Sequence, residues 1–441
     1  MRHPLIPVLP GPVASAWRDS RIDAVCARVN SSVDSAELND AEWLYYSIPA
    51  LEEYGSPLVQ NGDEIDSNKL EVNSGDVLIS KLNPRKSRVT TVVAIEGLRT
   101  VASTEFVALR PLAIEGRYLS WFLQSEPVRA LLASRVESVT RSHQRVNPDD
   151  ITKLRIRLPG RTDQTRIANF LDEQTARIDA LIAEKERLLE TLDEHRYAHL
   201  SRLMTHGLAA TAPRIQTSFQ ELGEVPAHWS VKRLKFLGEV RSGIAKGKDH
   251  GERDTVMLPY LRVANVQDGY VDLTDVQEIE VGSKEVDRYL LRAGDVLMNE
   301  GGDNDKLGRG TVWEGQIAPC VHQNHVFAVR LRNAELGEWV ARFTSTDAAR
   351  TYFFLRSKQS TNLASINQSN VRELPIPMPP EEERRDILTE VRRSEDATAS
   401  LLAHTREHID RLREYRSSLI SAAVTGKLNI DDVEARQVEA A

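Results

Sequence analysis

Ser74-Gly75-Asp76-Val77-Leu78-Ile79 occurs a second time as Ala293-Gly294-Asp295-Val296-Leu297-Met298. Around this pair the chain matches itself. Phe106-Val107-Ala108-Leu109-Arg110 returns as Val326-Phe327-Ala328-Val329-Arg330. Asn147 through Ile151, with Leu154, Ile156 and Pro159, returns as Asn367 through Val371, with Leu374, Ile376 and Pro379. Leu181, Leu192, Arg196 and Thr205 return as Leu401, Leu412, Arg416 and Thr425. The offset is 219 or 220 residues throughout. Upstream it shrinks to 215, where Ile48-Pro49-Ala50-Leu51 meets Val263-Ala264-Asn265-Val266, and to 212 at Trp17 and Trp229. Matches along one slowly drifting offset mark an internal repeat. The chain reads as globular, helical, globular, helical, over 1–157, 158–211, 212–378 and 379–441.

Each globular half reads mostly as strands and turns. Residues 72–79 and 289–298 are apolar around the Gly-Asp turn, as at the entry to a strand. Residues 90–95, 105–109 and 320–331 are rich in Val, Thr and Phe, which favour strands. A helical stretch follows in each half, 118–135 and 337–355. The fold class is α+β.

The helical segments carry the clearest periodicity. From 164 to 204 there is neither Pro nor Gly, and Ile167, Leu171, Ile178, Leu181, Leu188 and Leu192 follow heptad spacing with Ile182 and Leu189 beside them. From 383 to 425, Ile387, Val391, Leu401, Leu412 and Leu419 do the same, flanked by Leu388, Leu402 and Ile409. Each helix spans roughly 60 Å at the usual rise. Two such stripes at equivalent places are satisfied by packing on each other as an antiparallel coiled coil. Gly207 ends the first helix and Gly426-Lys427 the second.

Composition narrows the function. With 57 Lys+Arg against 65 Asp+Glu the net charge is −8, whereas nucleic-acid-binding domains usually carry a basic excess. The acid is uneven, however. Residues 1–157 carry net −1, 158–211 net −2, 212–378 net −1 and 379–441 net −4. The near-neutral globular halves are therefore free to present a basic face. No apolar run is long enough to cross a membrane. Pro4, Pro7, Pro10 and Pro12 make the first residues read as an extended arm rather than a signal peptide. Cys26 and Cys320 are too few for a disulfide framework, which fits a cytoplasmic chain.

Catalytic signatures are missing. Gly238 and Gly243 have P-loop spacing, but Ile244 follows where Lys is needed. The glycines at 301, 302, 308 and 310 sit in a polar loop and read as turns. His322-x-x-His325 is the one suggestive metal pair, on a strand-like segment where the two side chains face opposite ways. No Asn-Pro-Pro or Asp-Pro-Pro with a flanking aromatic is present, so an amino-methyltransferase site is absent. The chain reads as a binder with no catalytic residues, metal or cofactor of its own.

The candidate DNA-contacting residues lie in polar loops. After the first Gly-Asp strand come Lys81, Asn83, Arg85, Lys86 and Arg88. After the second come Asn299, Lys306 and Arg309. Arg141 and Arg145 form a further cluster at the place equivalent to 360–365, and Lys246 and Lys248 a third. Arg and Lys suit phosphates and guanine edges, and Asn pairs with adenine. These loops differ between halves while the framework repeats, as expected of two readers of different sequences.

The residues resemble those of the specificity subunit of type I restriction–modification systems. The carriers are the two Gly-Asp-Val-Leu entries, Gln323-Asn324-His325-Val326-Phe327, and Leu374-x-Ile376-Pro377-Met378-Pro379-Pro380 with Glu383 following. The ending Leu419-Ile420-Ser421-Ala422-Ala423-Val424-Thr425-Gly426-Lys427-Leu428 is similar too. The resemblance covers nearly the whole chain. Departures are Asp163-Gln164 and Glu383-Arg384 where Glu-Gln is common, Pro159-Gly160 in place of Pro-Pro, and Ser103-Thr104-Glu105 in place of Gln323-Asn324-His325.

The resemblance implies two target recognition domains, each reading half of a bipartite site in double-stranded DNA. The two long helices would set the spacing and dock methyltransferase subunits, two of them, with restriction/translocase subunits beside these. S-adenosylmethionine, ATP and Mg would belong to those partners. Two alternatives stay open: the specificity chain of a methyltransferase-only or related restriction system, and a coiled-coil scaffold whose globular ends bind protein.

Overall fold

A computed structural model describes residues 17–39, 41–86, 88–138, 144–247, 254–302, 307–359 and 364–433. The chain forms two compact units, one of residues 1–186 with 406–441 and the other of 187–405. Each unit holds one globular part and half of each long helix.

The Gly-Asp turn builds the same corner in both units. Gly75 and Gly294 take φ of 89° and 92°, a conformation that costs any residue with a Cβ. The strand that follows, Val77–Ser80 or Val296–Asn299, enters an antiparallel four-stranded sheet. Its order is Cys26–Arg28, Phe106–Pro111, Val77–Ser80, Val89–Thr91 in the first unit. In the second it is Gly238–Ser242, Val326–Leu331, Val296–Asn299, Gly310–Val312. Register repeats as well, since Val77 faces Leu109 and Val296 faces Val329. The turn aspartate is buried each time. Asp76 accepts from the backbone N–H of Asn73 at 2.8 Å and from both arms of Arg110 at 2.8 Å. Asp295 accepts from Arg292 N–H at 2.9 Å and from Arg330 at 2.9 and 2.7 Å. Forked arginine–carboxylate pairs of this kind fix geometry as well as charge.

A second sheet packs beside each. In the first unit it has five strands, in the order Ser32–Val33, Lys69–Glu71, Arg99–Ser103, Glu42–Tyr46, Leu58–Asn61. In the second it has three, Gln277–Gly282, Thr255–Leu261, Val321–His322. One pairing in each is parallel, and it aligns Tyr46 with Ala102 and Leu261 with His322. His322 thus belongs to a sheet core. It is 1% exposed, its Nδ1 lies 2.6 Å from the Val326 carbonyl, and burial pushes its pKa down to about 4. Cys26 and Cys320 are buried free thiols, and burial pushes both pKa values up to about 12.

The helical stretch expected over 118–135 is two helices, Gly116–Gln124 and Glu126–Ser134. Ser125 is extended and Pro127 sits in the next first turn, where its missing N–H costs nothing. In the second unit Gly337–Thr344 gives way to Asp347–Arg356, with the Thr346 hydroxyl accepting from Ala349 N–H.

The long helices run Arg161–His206 and Glu381–Val424. Gly207 and Gly426 end them with φ of 73° and 69°. In the first unit Ile167, Leu171 and Ile178 share a core with Leu419, Ile420 and Ala423. In the second, Leu200, Leu203 and Met204 share one with Ile387, Leu388 and Val391. The beginning of one helix meets the end of the other both times, so they pack antiparallel. Arg416 clamps Asp179 at 2.8 and 3.1 Å, and Arg413 reaches Glu186 at 2.8 Å. The globular parts grip these helices with matching bonds. Glu126 N–H donates to Ser421 Oγ at 3.1 Å, and Asp347 N–H to Ser201 Oγ at 2.9 Å.

The seam differs from the expected one by a register step. Leu181, Leu188 and Leu401 are 46%, 41% and 46% exposed and are not core residues. The inward positions alternate by three and four: Thr175, Ile178, Ile182, Lys185, Leu189, Leu192 and Arg196 on the first helix, and Leu402, Thr405, Ile409, Leu412, Arg416 and Leu419 on the second. Each apolar pair, 181–182, 188–189 and 401–402, turns its second member inward. Lys185, the polar interruption expected in the stripe, is half-buried in it, and Thr405 is buried at the matching place of the second helix. Leu192 and Leu412 are half-buried.

Candidate nucleic-acid interface

The loop after Val77–Ser80 is tied down by its backbone. Lys81 N–H donates to Glu105 O at 2.9 Å, Val146 N–H to Lys81 O at 3.0 Å, and Asn83 N–H to Gln144 O at 2.8 Å. Leu82 also bridges Arg145. The structure therefore joins the 81–88 loop to the hairpin that carries Arg145, two clusters far apart in sequence. Asn83 is at φ 50°, in the left-handed region that Asn tolerates, and its Oδ1 is buried without a partner. It bends the loop into the short helix Pro84–Lys86.

This bend lifts the cations into a cleft of about 600 Å³ lined by Leu51, Glu52, Gly55, Arg85, Lys86, Arg88, Val89, Thr90 and Arg129. Glu52 is its one carboxylate. Lys86 reaches it at 2.9 Å and the Arg88 Nε at 3.0 Å, and these bonds hold Glu52 below the usual carboxylate range. Arg88 is the inner cation, 9% exposed and also bonded to Leu82 O. Lys86 and Arg85 stand outward, and Arg85 has no acceptor among the described residues. The half-buried Lys81 has no ion partner there either. Arg145 is occupied by Glu105 at 2.9 and 3.2 Å. Four cations against one acid give a locally positive surface on a chain of net charge −8.

The equivalent loop of the second unit is built otherwise. Asn299 is completely buried. Its Nδ2 donates to Val266 O at 2.9 Å and Val263 O at 3.4 Å, so it props the short helix Val263–Asn265. It is a framework group, not an exposed reader of base edges. Gly301–Gly302 pairs with Ala364–Ser365, which pairs in turn with Lys358–Gln359. This places the second loop against its hairpin, as Leu82 and Arg145 do in the first unit. Arg309 is half-buried with its Nε buried and unpartnered. Glu300 pairs with His325. Lys246 is exposed, just past the bridge between Ile244 and Gln323. Arg141, Lys248 and Lys306 lie outside the described residues.

Sequence reasoning missed Glu52 and Arg129. Nothing local marks either: Glu52 lies in the last turn of the short helix Ile48–Glu53 and Arg129 on Glu126–Ser134. No group of three or more His, Cys, Asp or Glu among the described residues is placed to hold a metal ion. No helix among them is long and apolar enough to cross a membrane.

Comparison with known proteins follows this geometry. No family model matches the chain. It is 26% identical over 170 residues to a restriction specificity subunit of Methanocaldococcus jannaschii, across 38% of this chain and 39% of that one. It is 24% identical over 289 residues to the type I restriction enzyme EcoKI specificity subunit of Escherichia coli, across 64% of this chain and 60% of that one. The matched stretches thus span less than two thirds of either relative. In three dimensions the chain superposes with a TM-score of 0.72 on a chain solved in a study of complex assembly and conformational transition of the type I R-M system. That match has 18% identity over 95% of this chain and all of the other. In sequence and in fold, the chain is a homologue of type I restriction enzyme specificity subunits.

Proposed function

We propose that the chain is the DNA-reading subunit of a type I restriction–modification complex, with no catalysis of its own. The globular part of each unit reads one half of a bipartite duplex site. The helix pair docks two methyltransferase subunits, and restriction/translocase subunits join them. Those partners bring S-adenosylmethionine, ATP and Mg. One observation carries the reading. A matching frame, the buried Asp76 forked by Arg110 and the buried Asp295 forked by Arg330, supports loops of different composition at equivalent strand ends. A scaffold that binds a single protein twice has no use for that difference, whereas a reader of two unlike half-sites requires it. Phosphates fix the register of such a reader, and base edges supply its specificity. The test is methylome sequencing of the host with and without the gene. Loss of methylation at one two-part motif is expected. An unchanged methylome, with the partner genes intact, would refute the assignment.

A further inference from the structure

The two units treat one equivalent place differently. In the second unit, at the junction of the globular part with the helices, Tyr197 meets Arg196 and Arg350, whose guanidinium carbons lie 4.4 and 4.2 Å from its ring centre. Tyr197 OH donates to Asp268 at 3.1 Å, and Arg350 lies 3.7 Å from the same carboxylate. Arg196 is also 3.4 Å from Asp193. Two cations, two acids and the half-buried Tyr197 ring, an aromatic plug, meet at this place. At the 220-residue offset these helix positions become Arg416, Ser417 and Arg413 in the first unit, and Arg129, four residues past the cap Ser125 as Arg350 is past Thr346, takes the place of Arg350. The tyrosine is now a serine and the acid is now an arginine.

At this place the first unit has a cleft, with the Arg416 guanidinium 5.9 Å from the Trp121 ring centre beside it. A cleft of about 400 Å³ is lined by Lys86, Gln124, Arg129, Asp179, Ile182, Arg413, Arg416, Ser417 and Ile420. Lys86 and Arg129 also line the loop cleft, so the two clefts adjoin. Together they present Arg85, Lys86, Arg88, Arg129, Arg413 and Arg416 against Glu52 and Asp179. The acids that meet these cations are exposed by about half or more: Glu52 44%, Asp179 52%, Glu186 48%, Glu126 52% and Asp410 76%. Ion pairs so exposed are worth little and exchange readily for another anion.

We infer that the basic cleft between the first globular part and the helix pair, centred on Arg129, Arg413 and Arg416, holds consecutive phosphates of the DNA backbone. Its counterpart in the second unit is closed to them. The inference rests on the DNA-reading assignment and adds a sequence-independent contact made by one unit only. Phosphate fits because the two adjoining clefts bring six cations together, an arrangement suited to a polyanion.

The test uses the full chain and a mixed-sequence duplex, with affinity measured across a salt series. Arg129→Gln with Arg413→Gln should lower the salt slope by about two and weaken binding about tenfold. Arg350→Gln should leave both unchanged, because that arginine is already committed to Asp268 and Tyr197. Ser417→Tyr, which adds the plug and removes no charge, should weaken binding in the same direction. That variant carries the test if the double variant fails to fold. A slope unchanged in the double variant or in Ser417→Tyr would overturn the cleft assignment and leave the DNA-reading one standing. Variants that bind duplex like the parent but fail to associate with a methyltransferase would make the cleft a protein dock, and would also overturn it. No salt-dependent duplex binding by the parent chain would remove both.

Discussion

After Ser80 the first unit places Lys81, Arg85, Lys86 and Arg88 on its loop, and no acid. After Met298 the second unit places Glu300, Asp303 and Asp305 among Asn299, Lys306 and Arg309. Yet the strands that launch these loops share neighbours, register and the buried aspartate–arginine fork. The contrast separates two kinds of constraint. Groups whose loss would strand a buried charge are held alike in both halves, since breaking such a pair costs about 3–5 kcal/mol. Groups that end in water cost little to change and have drifted apart. Divergence on top of a fixed frame is what a duplicated reader needs.

The largest expected effect sharpens the frame side of this contrast. Leu402 is 8% exposed and Ile409 4%, while Leu181 and Leu401, equivalent to each other in the repeat, are each 46% exposed. Leu402→Ala or Ile409→Ala should lower stability by about 3 kcal/mol in urea denaturation. Leu181→Ala and Leu401→Ala should stay within about 0.5 kcal/mol of the parent. Equal losses at all four would mean that Leu181 and Leu401 share the seam with Leu402 and Ile409.

That seam shows what could be read from sequence. The repeat, the helix pair and the strand after each Gly-Asp turn were legible because they rest on burial, which leaves apolar residues at regular intervals. The register step was not, because adjacent apolar residues such as Leu401-Leu402 present the same composition on two helix faces. Polar occupants of the seam then hide which face turns inward. The cleft was half legible. Arg85, Lys86 and Arg88 stand together in sequence, but Glu52 and Arg129 reach them only through tertiary folding. Asn299 looked available because it is polar and follows a strand. Its burial depends on the Val263 and Val266 carbonyls, more than thirty residues upstream.

A second expectation would break the equivalence at a single point. His322 occupies the place of Ala102 in the first unit, and both are buried. Burial lowers the folded pKa of His322 from 6.5 to about 4. Between those values the unfolded chain binds a proton that the folded one refuses, so stability falls as pH drops below about 6.5. By pH 5 the loss should approach about 2 kcal/mol, from 1.36 kcal/mol per pKa unit. It should appear in the second unit alone, and His322→Ala should flatten the pH dependence whatever it does to stability at neutral pH. Urea melts at pH 7 and pH 5 check this. A parent protein equally stable at both would show that the imidazole takes up its proton without unfolding.

The smallest expected effect falls on the loops themselves. Arg85 is the one cation of the loop cleft without an acceptor among the described residues, whereas Arg88 is spent on Glu52 and Leu82 O. An exposed guanidinium with no internal partner gives up nothing when it meets a phosphate, so Arg85→Ala should remove one phosphate contact and lower the salt slope by about one. The affinity lost, about 1 kcal/mol, should be the same for target and non-target duplexes. If Arg85 instead reads a guanine edge, the loss becomes about 1–3 kcal/mol on the target duplex alone and one base position relaxes. Glu52→Gln acts in the opposite sense. It frees Lys86 and Arg88 and should strengthen non-specific binding, provided the loop keeps its backbone ties to Glu105, Gln144 and Val146. Lys246, an exposed lysine of the second unit that does not line the basic clefts of the first, is the internal control, and Lys246→Ala should change the slope less than Arg85→Ala does. Equal slopes for the two variants would mean that the basic loop of the first unit meets DNA no more closely than any other surface lysine.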